Sequence, residues 1–143
     1  MNMIIASLVC VALLAVSLAH FMWAFNRPWP IRDRKLLAKT VVGFAGVETM
    51  PPWYMSLGVA ILTFLAAFFV LALADHSGGG SVTTLIGTLI GVVFLARGIV
   101  GYLPFWQKLT PEEPFRTNDF RVYSPLCLLV GAGFLALVFM RLT

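Results

Sequence analysis

The chain alternates long apolar runs with short polar connections. Four runs stand out, at residues 3–25, 53–74, 81–103 and 125–141, and each carries at most one Asp, Glu, Lys or Arg. All four fall in the range of about 17–25 residues that a helix needs to cross a hydrocarbon core about 30 Å thick. The pattern predicts an all-α, integral membrane four-helix up-down bundle, folded as a single domain over residues 1–143.

The first run, 3–25, has His20 as its one strongly polar member. Ser17-Leu18-Ala19 could serve as a signal-peptide cleavage site, but no basic residue precedes the apolar stretch, so a retained helix is expected. The second run begins after Pro51-Pro52, where proline is tolerated because a first-turn N–H has no helical partner. Its many Phe, Leu and Ala residues predict a helix that faces lipid over much of its surface. In the third run Gly87, Gly91 and Gly98 fall within about 40° of one another at about 100° per residue. Gly87 and Gly91 form a GxxxG pair, and small residues let helices approach closely in lipid. This helix is therefore expected to be the most tightly packed. Ser124-Pro125 predicts an N-cap and first turn for the fourth run, with Arg141 snorkelling at its far end.

The connections differ in character. The first gathers Arg27, Arg32, Arg34, Lys35 and Lys39. Asp33 can cap a short helix there, with Leu36, Leu37, Thr40, Val41 and Phe44 on one side and Arg34, Lys35 and Lys39 on the other. Val42, Gly43 and Gly46 argue equally for an irregular basic loop, so both readings stand. Residues 75–80 predict a tight turn in which His76 is solvated. In the third connection, Thr110-Pro111-Glu112-Glu113 resembles a capping box that Pro114 limits to about one turn.

Composition reinforces the membrane reading. The chain is 60% hydrophobic and 11% charged, whereas soluble domains carry about 25% charged residues. The net charge of +4 comes mostly from one loop, the first connection, and reads as topology, and no nucleic-acid motif accompanies it. Basic residues in the first and third connections place those loops in the cytoplasm and both termini outside, in a multi-pass membrane protein.

That topology brings distant residues to one end of the bundle. His20 lies roughly 8 Å, and Arg97 roughly 9 Å, from the cytoplasmic ends of their runs at 1.5 Å per residue. Glu48, Asp119, Arg121 and Tyr123 lie at the same end, with Trp23, Trp53, Tyr102 and Trp106 beside them. The aromatics suit an interfacial belt, whatever else they do. A charged Arg97 at that depth must either pair inside the bundle or snorkel to the headgroups. Asp119 is the expected partner because the connection between the third and fourth helices is short. The candidate ligand-binding or polar cluster is His20, Trp23, Glu48, Arg97, Tyr102, Asp119, Arg121 and Tyr123, with Gly87, Gly91 and Gly98 as packing residues.

Two motifs carry a resemblance. His20-Phe21-Met22-Trp23-Ala24-Phe25 closes the first run, and Asn118-Asp119-Phe120-Arg121-Val122-Tyr123-Ser124-Pro125-Leu126-Cys127-Leu128 opens the fourth. Together they resemble the bacterial membrane-protein family called domain of unknown function 3995, over nearly the whole chain. The resemblance implies a small four-helix membrane protein and no known activity. The first connection differs from the family's pattern, with Asn26-Arg27-Pro28-Trp29-Pro30 in place of a glycine-rich step.

Several chemistries are disfavoured. Cys10 and Cys127 belong to opposite ends of the bundle, beyond the roughly 7 Å Cα limit for a disulfide. His20 and His76 fall on opposite sides and cannot share a haem or metal ion. No nucleotide loop or nucleophile elbow is present, and no cofactor is expected. Three functions remain. The first is a structural or accessory subunit that works with the bilayer and other membrane-protein subunits. The second is a binding or transport module in which Arg97 and Arg121 hold an anionic lipid or small lipophilic acid. The third is an enzyme acting on a quinone or lipid, with His20 moving a proton and Asp119 orienting it.

Overall fold

The computed structural model describes residues 1–75 and 79–143, and helix is the only regular structure among them. The expected turn around His76, Ser77 and Gly78 lies outside the described residues. The elements are α1 (Asn2–Ala24), α2 (Arg34–Val41), α3 (Trp53–Ala74), α4 (Gly80–Val100), α5 (Pro104–Leu109), α6 (Phe115–Asn118), a π-helical turn (Asp119–Tyr123) and α7 (Ser124–Leu142). Four helical stretches are long and apolar enough to cross a membrane: α1, α3, α4 and the continuous run from Phe115 to Leu142. The protein is thus a four-helix, multi-pass membrane protein.

The tightest pairing is between α1 and α3. On α3 the small side chains Ser56, Ala60, Thr63, Ala66 and Ala67 are buried, and on α1 Ala6, Val9, Cys10, Leu13 and Ser17 are buried. The Ser17 hydroxyl donates to the Ala60 carbonyl at 2.8 Å across this seam. The second close pair is α4 with α7, and α1 also touches α7. Phe134 and Leu137 of α7 are fully buried in the core where these pairs meet.

Gly87, Gly91 and Gly98 are all buried and form the line along which α4 meets its neighbours. A Cβ on Gly91 would sit 2.9 Å from Leu135, and one on Gly98 would sit 2.6 Å from Leu128. On α7, a Cβ on Gly131 would lie 2.8 Å from the Leu95 backbone nitrogen and 2.9 Å from the Gly91 carbonyl oxygen. Small residues on both helices therefore allow the backbones to meet. Beyond this line α4 is open. Only 17% of its most apolar window is buried, against 39% for α3, so α3 rather than α4 supplies the packed centre. Although α3 and α4 follow one another, they touch only slightly, because the glycine line of α4 is mainly occupied by α7.

The basic first connection does form a helix: Asp33 caps α2 by accepting the backbone N–H groups of Lys35 and Leu36. Its buried face is Leu37, Ala38 and Thr40, while Leu36 and Phe44 are exposed. Ser124-Pro125 does open α7, but Ser124 does not cap it, because helix runs on continuously from Phe115. The Ser124 backbone N–H bonds back to the Asp119 carbonyl, an i→i+5 link that carries the helix through this point. Pro125 lacks an N–H, and Phe120's carbonyl, its natural acceptor in that register, instead receives the Tyr102 hydroxyl at 3.2 Å. Helix does not follow Thr110: the Thr110 hydroxyl turns back to the Trp106 carbonyl and closes α5.

Candidate functional site

Arg97 lies in the last turn of α4, and Asp119 opens the π turn that leads into α7. In a regular α-helix, residues five apart diverge by about 140° at about 100° per residue. The i→i+5 turn brings Asp119 and Ser124 nearly into line, so both face the end of α4. Gly101 makes room for them, since a Cβ there would collide with the Ser124 hydroxyl.

The resulting cluster is closed on itself. Asp119 is 2% exposed. Its Oδ1 accepts Arg97 Nη2 at 2.7 Å and the Ser124 hydroxyl at 3.1 Å, while its Oδ2 accepts the Trp106 indole N–H at 2.9 Å. Arg97 Nη1 also reaches the Ser124 hydroxyl at 3.4 Å, and the guanidinium carbon sits 5.3 Å from the centre of the Trp106 ring. Among the described residues no buried side-chain nitrogen or oxygen lacks a partner. The expected pairing of Arg97 with Asp119 is therefore present.

A second set of contacts joins the first and third connections. The Tyr123 hydroxyl donates to the Thr40 carbonyl at 3.0 Å, tying α2 to the π turn. Phe115 fills the space over Gly43, whose φ of 74° and missing side chain both permit this approach. Glu112 Oε2 pairs with Lys39 at 3.0 Å, and its Oε1 accepts the Gly46 backbone N–H at 2.9 Å. The Glu112 backbone N–H in turn bonds to the Gly43 carbonyl. The Gly46 N–H, with the Lys39 ammonium, holds the Glu112 carboxyl below the usual carboxylate range.

Other expected members of the cluster lie elsewhere. His20 donates from Nδ1 to the Val16 carbonyl at 2.9 Å and packs on Trp23, 4.7 Å between ring centres. No hydrogen bond joins it to Arg97 or Asp119, because α1 packs chiefly on α3 rather than across the bundle on α4. Trp23 donates to the Trp29 carbonyl, and Glu48 pairs with Lys35. Arg121 is exposed and, with Arg116 and Asp119, lines a cavity of about 330 Å³. Tyr102 stays close, stacking edge-on to Phe120 with ring centres 5.0 Å apart.

Sequence reasoning missed Trp106 and Ser124 as direct partners of Asp119. Trp106 is indistinguishable by sequence from an interfacial tryptophan, and Ser124 before a proline looks like a helix cap. Chemically, the cluster neutralises a charge at the rim of the membrane-spanning region and fixes the end of α4 to the start of α7.

No curated protein and no solved structure matches the chain. A family model described as "Protein of unknown function (DUF3995)" matches residues 13–134, and the chain belongs to that family.

Proposed function

We propose that this DUF3995 member is a structural or accessory component of a bacterial inner-membrane assembly, with both termini outside and its two long connections in the cytoplasm. The observation that carries the reading is the internal use of the polar block. Both oxygens of Asp119 are taken by Arg97, Ser124 and Trp106. A general base or nucleophile works best with its lone pairs directed at a substrate, whereas those of Asp119 are spent mainly on holding Arg97, Ser124 and Trp106 in place. His20, the other candidate proton carrier, makes no hydrogen bond to this cluster, its Nδ1 donating to the Val16 carbonyl of its own helix. The open outer side of α4, with Val82, Leu85, Leu89, Val92 and Val93 exposed, suits contact with lipid or with another transmembrane helix.

Native mass spectrometry of the gently solubilised protein tests the role. The expected result is a second membrane polypeptide retained at fixed stoichiometry. Recovery of the chain alone, in every detergent that preserves its helices, would overturn the reading. Orientation rests on Arg27, Arg32, Arg34, Lys35, Lys39, Lys108, Arg116 and Arg121 all lying in or beside the two long connections. With Cys10 and Cys127 replaced by alanine, single cysteines at Lys39 and Thr143 are probed on intact cells with a membrane-impermeant thiol reagent. Labelling at 143 and not at 39 is expected, and the reverse would invert the topology.

A further inference from the structure

A second, larger cavity lies where the end of α1, the start of α2 and the start of α3 meet. It measures about 590 Å³, within the range of ligand pockets, and its wall includes Arg27, Arg34, Trp23, Trp53, Leu37 and Met50. The two arginines reach it from either end of the segment that links α1 to α2. Asn26, with φ 60°, turns the chain just after α1 and so sets Arg27 at the rim. Neither guanidinium has a protein acceptor among the described residues, and both side chains are exposed. Glu48 is the one acid in the wall, and it is already occupied by the Lys35 ammonium. The cavity therefore presents two forked cations that no described residue neutralises.

Its surroundings distinguish it from a site for a free anion. Trp23 closes one apolar helix and Trp53 opens another, which puts the cavity at the level where tryptophan meets lipid headgroups. Phe21, Trp53 and Tyr54 are exposed on the adjoining helix surfaces, where acyl chains would run. Leu37 and Met50 supply an apolar floor. We propose that this cavity binds the phosphodiester headgroup of an anionic phospholipid, with Arg27 and Arg34 forking onto the phosphate oxygens. The smaller cavity beside Arg116 and Arg121 is less suited, because Glu113 and Asp119 share its wall.

The test is native mass spectrometry of the full chain in micelles holding equal amounts of phosphatidylglycerol and phosphatidylcholine. Wild type is expected to retain phosphatidylglycerol on the order of tenfold more than phosphatidylcholine, given the contribution of an arginine near an anionic lipid. The double variant Arg27→Ala/Arg34→Ala loses that preference, while Arg116→Ala/Arg121→Ala, which removes the same charge from the other cavity, keeps it. Arg27→Lys/Arg34→Lys, which keeps the charge but not the fork, gives an intermediate preference and carries the test should the alanine pair fail to fold. Equal retention of the two lipids by wild type, an unchanged preference in both Arg27/Arg34 double variants, or an equal loss in the Arg116/Arg121 variant would overturn the proposal. Displacement of the lipid by millimolar inorganic phosphate would also overturn it, and would make this a site for free anions.

Discussion

The burden on Asp119 and Arg97 is unequal. The Asp119 side chain is 3% exposed and that of Arg97 is 33% exposed, so removing one partner strands the other in a very different place. Arg97→Ala leaves a carboxylate sealed under Trp106 and Ser124, and breaking a buried pair in this way costs about 3–5 kcal/mol. Asp119→Asn leaves an arginine that can still extend toward headgroups and water, and the smaller cost of about 1–3 kcal/mol for disturbed hydrogen bonds applies. Arg97→Lys retains the charge without the fork and recovers part of the loss. Thermal unfolding in detergent should rank these as Arg97→Ala, then Arg97→Lys and Asp119→Asn. An Asp119→Asn protein less stable than Arg97→Ala would show that the guanidinium, not the carboxylate, is the stranded group.

Helix packing turns on which atoms a glycine faces. A Cβ at Gly131 would meet backbone atoms of Leu95 and Gly91, which cannot rotate aside, whereas a Cβ at Gly58 of α3 would meet nothing within 4 Å. Gly131→Ala should therefore destabilise the protein by about 1–3 kcal/mol, as overpacking does. Gly58→Ala should stabilise it by about 0.5–1 kcal/mol, through the lower entropy cost of alanine in a helix. Opposite shifts in melting temperature are the expected readout, and equal shifts would mean that α4 and α7 do not meet as closely as this. The glycine line of α4 was readable from sequence because its spacing follows the helical period. The role of Gly131 was not, since it depends on which helix lies opposite. The π turn left no periodic signal either: its register depends on Asp119 meeting Arg97 and Tyr102 reaching the Phe120 carbonyl, contacts fixed only by the fold.

Across the whole molecule, the four spans could be read from hydropathy because lipid imposes length and apolarity on each helix independently of its neighbours. The layer over one end of the bundle could not, because its contacts join residues far apart in the chain. Lys39 and Glu112 are charged side chains that sequence alone leaves solvated, and Tyr123, expected beside Arg97, donates instead to the Thr40 backbone carbonyl. His20 shows the converse error: equal depth in the membrane suggested proximity to Arg97, but α1 packs chiefly on α3 and the His20 ring bonds back to its own helix. The Glu112 latch gives this layer a pH dependence with a definite sign. Its folded-state affinity for a proton is lowered by the Gly46 N–H and by Lys39, so the open state binds the proton more readily. The stabilisation is fully present above the ordinary carboxylate value of 4.5 and is lost as pH falls through the lower, folded value. Hydrogen exchange, corrected for the intrinsic rate, should show protection of the Gly46 amide at pH 6 that fades below about 4.5 while the cores of α1 and α3 stay protected. Glu112→Gln should weaken that protection at every pH and remove its pH dependence. A Gly46 amide equally protected across this range, in wild type and variant alike, would mean that the two connections are held together by Phe115 and Tyr123 without the latch.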